Sequence, residues 1–519
     1  MSRTYGSIVI GGSADGLVAA TALAQSGSTV LLVEAQAELG GTFREIEFAP
    51  GYRAAPLAPD LGHVDAGILQ ATGAMLPGAI TPDPVTIALG DGEPLQLRRS
   101  IAATAEGLKG RSAKDAAAWP AFCARMHALS GFLAELYRRA PPQLDASGLD
   151  DYLALARLGL KFRGLGRSGM YDLLRALPMP IADLLDDWFE SERLKGALAA
   201  LGVADLCQGP ASGGTALNFL HRHVGADAGV FGDRLRLQTG GRAMIAAFAD
   251  RARAASVTIE TGAEVRRLLV ADDRVVGVQL ASGEEIRSAD VVSSLDPYRS
   301  LLELLDPVHL DPDFIAAVRN IRHRGVTSIV LLALDGLPEV PGLAAAPAGS
   351  ILIAPSVRHV ERAFDASKYG HCSAEPVVEL RFPSITQSKL APMGRHVAML
   401  RVQYTPYRLR DEDWSTMRNT VAVRAVALVE RHVPGFASRI NHRVVLTPAD
   451  LEAQFGLREG AVSRGEPALD QMLFMRPVAG ASRYAMPVPG LFLCGAGTHP
   501  GYGMTGLSGL HAAHAARPR

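Results

Sequence analysis

The chain has 519 residues, with 52 Lys and Arg against 53 Asp and Glu, and its net charge of −1 argues against a nucleic-acid partner held by a basic face. With 48% hydrophobic and 20% charged residues it suits a folded protein with a large core, long enough for two intertwined domains. The cysteines Cys123, Cys207, Cys372 and Cys494 lie far apart with no CxxC spacing, so no zinc site, no other metal and no redox disulfide is expected.

The first residues lead straight into an apolar run, with no signal or transit pattern. No run approaches the roughly twenty apolar residues that span a bilayer. A cytoplasmic location is the expectation.

Ser7 to Glu34 reads SIVIGGSADGLVAATALAQSGSTVLLVE: a strand, a small-residue turn, a helix ended by Gly27, and a second strand closing on Glu34. This is a βαβ unit opened by a glycine-rich turn, the phosphate cradle of a dinucleotide fold. Gly11 lets the chain turn off the strand, Gly12 keeps the turn small, and Gly16 lets the helix pack close. The helix N-terminus then faces a pyrophosphate. Glu34 lies eighteen residues past Gly16, where a carboxylate accepts hydrogen bonds from ribose hydroxyls and repels a 2′-phosphate.

Ser13 stands where the pattern has its middle glycine. Its hydroxyl either donates to phosphate or holds the phosphate off. Asp15 brings an acid near the same place, its carboxylate pointing to solvent or capping a neighbouring N–H. After Glu34 and Ala35, Gly40, Gly41 and Thr42 form a flexible turn.

Residues 51–97 read as loop and short strands. From about Ser100 to Leu201 the pattern is helical, with Asp115–Arg139 as an amphipathic segment. Leu153–Leu177 mixes leucines with Arg157, Lys161, Arg163, Arg167 and Arg175. Either this is an ordinary surface helix pair, or it is a basic amphipathic stretch in peripheral contact with a membrane. Gly164–Gly169 matches G-x-G-x-x-G in full, but no strand precedes it and no acid-ended strand follows, so it reads as a loop.

A helix is predicted over Ala243–Ala255. A β-meander follows, with turns at Asp272-Asp273 and Ser282-Gly283, and closes on a strand at Val291–Ser294. Ser328–Leu334, Val377–Phe382 and Val397–Tyr404 predict an antiparallel sheet over a ligand cavity, flanked by a helix at Trp414–Val433. The chain ends in a strand, Leu491–Cys494, a glycine-rich segment and a helix, Leu507–Ala516.

The tail GLFLCGAGTHPGYGMTGLSG, with IGGSADGLVAATAL and LVEAQAELGG at the start, resembles the phytoene-desaturase-like FAD oxidoreductases of the amine-oxidase superfamily. ALDQMLFMRP, LAPMGRHVAMLRVQYTPYRL and LLDDWFESERLKGALA resemble its subgroup of pyridine nucleotide-disulfide oxidoreductase domain-containing proteins.

The resemblance implies an α/β fold: a Rossmann-type FAD-binding domain from residues 1–90, 215–300 and 471–519, with an inserted α+β substrate domain from 91–214 and 301–470. It implies FAD, with Gly11, Gly12, Ser13, Asp15 and Gly16 at the pyrophosphate and Glu34 and Ala35 at the adenosine ribose. Gly40, Gly41 and Thr42 would lie along the ribityl-phosphate, and Val265 at the adenine. Gly495 and Gly497 would approach the pyrophosphate, and Met504 and Thr505 the pyrimidine edge of the flavin. Family members usually carry glycine where Ser13 and Tyr502 stand.

The implied reaction is hydride transfer from a small apolar or extended substrate to flavin N5, which needs no charged catalytic set, and none is evident in the sequence. Two alternatives stay open: an amine-oxidase-type flavoenzyme, and a flavin fold without FAD that serves as an interaction protein. His499 is a candidate general base or a histidine that holds its own loop by hydrogen bonds, and Tyr404 a candidate for the cavity wall or for core packing.

Overall fold

A computed structural model describes residues 3–58, 60–76, 78–142, 149–232 and 235–517. The opening strand Arg3–Ile10 lies between parallel neighbours Val30–Glu34 and Glu285–Ser293, with Thr258–Thr261 and Leu491–Leu493 completing the parallel core on either side. A strand flanked on both faces buries both sides of its pleat, which explains the unbroken apolar runs Ser7–Ile10 and Val30–Val33. The predicted meander is present: Val265–Ala271 and Arg274–Leu280 pair antiparallel and extend the sheet from the first half of Glu285–Ser293. Its turn residues Asp272 and Asp273 both have positive φ, as a tight hairpin turn requires.

The helix Ala14–Gln25 covers one face of this sheet together with Gly241–Ala254 and Leu507–Ala515. Close packing depends on missing side chains. A Cβ at Gly16 would stand 2.0 Å from Gly11 O, and one at Gly509 would stand 2.0 Å from Asp15 O.

The inserted domain has a sheet of seven strands. Thr327–Leu334, His396–Gln403 and Val377–Arg381 form its antiparallel centre, as predicted. Trp414–His432 packs on one face through Val421, Ala425 and Leu428. One pair in this sheet is parallel: Ser350–Ile353 against Thr86–Leu89. Thr86–Leu89 and its hairpin partner Leu95–Leu97 therefore lie in the second sheet, which corrects the expectation that residues up to 90 belong with the first. A short apolar run carries no mark of which sheet it joins.

Thr215–His223 likewise sits in the helical layer. Ser130 Oγ donates to Leu220 O at 3.0 Å, and Asn218 Nδ2 donates to Gly202 O at 2.6 Å.

Asp115–Arg139 appears as the helix Ala113–Tyr137, capped by Ser112 Oγ accepting from Asp115 N–H at 3.0 Å. The basic stretch forms two helices, Leu149–Gly164 and Gly166–Ala176. The full G-x-G-x-x-G match at Gly164–Gly169 is the junction of these helices, not a loop and not a cradle, with Gly166 at φ 70° making the break. Among the described residues, no helix is long and apolar enough to cross a membrane.

Candidate functional site

Four parallel strands end at the same edge of the first sheet. Gly11 follows Ile10, Glu34 ends its strand, Ser294 follows Ser293, and Gly495 stands two residues past Leu493. Ligands of open parallel sheets bind outside such carboxyl ends.

The opening turn is built as the sequence predicts. Gly11 has φ 97° and donates to Val33 O at 2.8 Å. Gly12 N–H donates to Glu34 Oε2 at 2.6 Å, and Glu34 Oε1 accepts from Gln36 N–H at 2.8 Å. Ala35 is exposed beside it. Gly40 N–H donates to Gly12 O at 2.9 Å, and a Cβ on Gly41 would lie 3.1 Å from Ser13 Cβ, so the second turn packs on the first. Ala263 N–H donates to Glu34 O at 2.9 Å, which brings the start of the Val265 strand to the same corner.

Ser13 has a role not foreseen from the sequence. It is the N-cap of the first helix: its Oγ accepts from Gly16 N–H at 3.2 Å and donates to Ser294 Oγ at 3.2 Å. Asp15 takes the second of its foreseen roles, its carboxylate capping a backbone N–H. Its Oδ1 accepts from Ser508 Oγ at 2.7 Å and from Gly509 N–H at 3.4 Å, so it faces the first turn of the C-terminal helix. Burial raises its pKa, against the pull of these hydrogen bonds.

The closing segment meets the opening one. Gly495, at φ 90°, donates to Ser508 Oγ at 2.7 Å, and a Cβ there would be 2.9 Å from Ser294 O. A Cβ on Gly497 would strike Pro297 Cδ at 2.3 Å. Thr505 N–H donates to His63 O at 2.9 Å and Thr505 Oγ1 to Leu61 O at 2.7 Å, which fixes Met504 and Thr505 against the 61–63 loop.

One cavity joins these parts. It has a volume of about 160 Å³ and opens to solvent; Ser13, Asp15, Thr42, Phe43, Met504 and Thr505 line one end. The other end holds what sequence reasoning missed, a charged cluster of Asp205, Arg222, Glu379, Arg381 and Arg401 beside Tyr502.

Asp205 pairs with Arg401, lies 3.9 Å from Arg222, and accepts from Thr327 Oγ1 at 2.9 Å. Glu379 Oε1 accepts from Arg381 at 2.5 Å, and its Oε2 lies 3.8 Å from Arg401 Nε. Burial works to raise the pKa of both acids, but the arginines outweigh it and hold both below the usual carboxylate range. A signal existed: charged or polar residues at alternate positions of the apolar strands VVELR and HVAMLRVQ mark one sheet face as turned toward a polar space, and Glu379 stands opposite Arg401 in register.

Tyr502 forms part of this wall, donating to Asn218 Oδ1 at 2.8 Å and accepting from Arg222 at 3.3 Å. Tyr404 is core: it is fully buried, and its hydroxyl donates to Gln208 O at 2.9 Å. His499 is fully buried against the Tyr137 ring, 5.7 Å between centroids, and does not line the cavity. Burial lowers its pKa to about 3.

Residues 16–338 match the family of flavin containing amine oxidoreductases. The chain is 31% identical to the rat (Rattus norvegicus) pyridine nucleotide-disulfide oxidoreductase domain-containing protein 2, over 98% of this chain and 93% of that protein. It is 27% identical to the neurosporene-forming phytoene desaturase of Cereibacter sphaeroides, over 47% of this chain and 46% of that protein. A solved oxidoreductase from Methanosarcina mazei shares the fold at a TM-score of 0.62 and 14% identity, over 98% of this chain and 99% of the other. The glycine cradle, the acid-ended second strand and the returning C-terminal segment thus sit in a chain that belongs to the flavin containing amine oxidoreductase family.

Proposed function

We propose that this protein is an FAD-dependent oxidoreductase of the dehydrogenase or desaturase type, acting on a small apolar or extended substrate. The observation that carries the reading is the single cavity running from the Ser13 turn to the Arg222–Tyr502 wall. It brings the Ser13 turn, the Met504–Thr505 segment and the charged wall onto one space. Bound FAD would supply an acceptor for hydride at flavin N5.

The chain's own residues then have these roles. Gly11, Gly12, Ser13 and Gly16 form the diphosphate turn, with Gly495 and Gly497 closing it from the other chain end. Asp15 holds those two ends together. Glu34 and Ala35 meet the adenosine ribose, and Val265 the adenine. Gly40, Gly41 and Thr42 follow the ribityl chain, and Met504 and Thr505 the pyrimidine edge.

Phe43, Leu57, Leu61 and Val462 give the substrate an apolar wall, and Arg222 with Tyr502 gives it a polar end. Orientation and exclusion of water are the protein's contribution to the transfer. Support for the apolar class comes from relatives named as phytoene desaturases. An amine substrate is disfavoured because Asp205 and Glu379 are already engaged by arginines.

The test is direct. Purified protein, reconstituted with FAD, should show the visible absorption of oxidised flavin and release FAD on denaturation. It should bleach anaerobically with a substrate of this class. Protein that takes up no FAD would overturn the reading in favour of an interaction role.

A further inference from the structure

Three carboxylates surround the opening turn: Asp15, Glu34 and Asp296. Asp15 accepts from Ser508 and Gly509, and Glu34 from Gly12 and Gln36. Asp296 accepts from His323 at 2.9 Å and from Tyr298 N–H at 2.8 Å. A doubly charged diphosphate brought to this turn adds repulsion unless a cation answers it.

Arg299 is engaged by Glu264 at 3.2 Å. Arg476 spends its guanidinium on backbone carbonyls, those of Ser463, Gly465, Gln471 and Ala496 among them. Arg464 is different. Its charge acts on Asp15, Asp296 and Glu34 together, yet its side chain makes no ion pair and no hydrogen bond with any described residue. Burial lowers its pKa, as it does for a cation lacking a close counter-ion.

Its placement is fixed by backbone. Arg464 stands at φ 49°, in the left-handed region. Its carbonyl accepts from Arg476 at 3.2 Å and lies 3.7 Å from where a Gly497 Cβ would be. Arg476 donates to Ala496 O at 3.1 Å as well, so one guanidinium binds the 463–465 loop of the inserted domain to the closing glycine segment.

We propose that Arg464 is a cofactor-binding residue: its free guanidinium, delivered from the inserted domain, pairs with the FAD diphosphate at the Ser13 turn and offsets the three surrounding carboxylates. This rests on the FAD reading above. Arg476 is the positioning residue that holds the loop. The arrangement also answers Ser13. A serine that spends the Gly16 N–H on its own cap removes one donor from the diphosphate, and Arg464 supplies a charged fork in its place.

The experiment is FAD titration of the full-length apoprotein by quenching of flavin fluorescence, at low and high salt, for wild type, Arg464→Gln and Arg464→Lys. Circular dichroism checks folding. Arg464→Gln is expected to weaken FAD about ten- to hundredfold, the range of a lost charge-assisted hydrogen bond. Its affinity should depend less steeply on salt, and Arg464→Lys should fall between the two. Arg464→Gln within twofold of wild type, at the same salt slope, would overturn the assignment and leave the FAD reading standing. Wild type that binds no FAD would overturn both. If Arg464→Gln does not fold, Arg464→Lys decides: a loss of threefold or more supports the pairing, and unchanged affinity overturns it.

Discussion

Ser508 Oγ donates to Asp15 Oδ1 at 2.7 Å and accepts from Gly495 N–H at 2.7 Å, so one hydroxyl joins two segments almost five hundred residues apart in the chain. Ser508→Ala would leave a buried carboxylate and a buried N–H short of a partner. The expected cost is about 1–3 kcal/mol in urea unfolding, with weaker FAD binding alongside. Stability equal to wild type would show that water or another group replaces the link.

Ser13→Gly removes the cap but keeps a residue tolerated at that position, at a cost of a few tenths of a kcal/mol. It releases Gly16 N–H from the cap. FAD should bind more tightly, by about threefold for a single weak donor gained. Equal or weaker binding in the same titration would show that the hydroxyl itself serves the phosphate.

Asp205 is tied to two arginines and a threonine, with 9% of its side chain exposed. Asp205→Ala strips a buried pair of one partner and is expected to cost about 3–5 kcal/mol. The exposed Lys109–Glu106 pair, 2.6 Å apart, is the contrast. Glu106→Ala should shift stability by about 0.5 kcal/mol or less. Chemical denaturation of both variants measures the difference, and equal small effects would show that the cluster is well hydrated.

Burial lowers the pKa of His499 to about 3 and, against a hydrogen bond to Tyr137 O, that of His511 to about 4. The folded chain holds both rings neutral, whereas the unfolded chain protonates them below about 6.5. Their contribution is therefore complete above pH ~6.5 and is lost as pH falls from there through the folded values. Asp15, whose pKa is raised, works in the opposite direction. Thermal midpoints of wild type and His499→Phe isolate the histidine, since Asp15 is common to both. The variant should lose less stability between pH 7 and pH 5; parallel profiles would refute the assignment.

Leu153 and Leu160 are exposed seven residues apart on one helix, and Tyr171 and Leu174 three apart on the next, among Arg157, Lys161, Arg167 and Arg175. An apolar stripe edged with cations is the chemistry of a peripheral membrane surface. Co-sedimentation with anionic vesicles is the expected outcome, weakened by high salt and by Leu160→Asp with Leu174→Asp. No binding to anionic vesicles at low salt would leave these helices as an ordinary solvated face.

The first βαβ unit, the meander, the central antiparallel strands and the last strand and helix were legible because each is specified by local chemistry: a turn that only glycine permits, an apolar run of strand length, an acid at a strand end. The better match to the glycine pattern, Gly164–Gly169, failed for the same reason, since helix-forming residues surround it. Thr86–Leu89 was misplaced because parallel pairing with Ser350–Ile353 joins segments 264 residues apart and leaves no local trace. Asp205, Arg222, Glu379, Arg381 and Arg401 come from four separate stretches, so their meeting was hidden although the alternation on two strands was visible.

The sequence by itself determined that a glycine turn, a helix and an acid-ended strand would form at one end of the chain, and a matching glycine segment at the other. Steric freedom at Gly11 and period-two burial suffice for that. The tertiary structure alone decided that the cavity ends in a wall of paired charges, that Asp15 clasps the closing helix, and that the Arg464 loop is tied to the closing glycine segment. Long-range packing brings charges together, and their energies depend on neighbours that no local stretch contains.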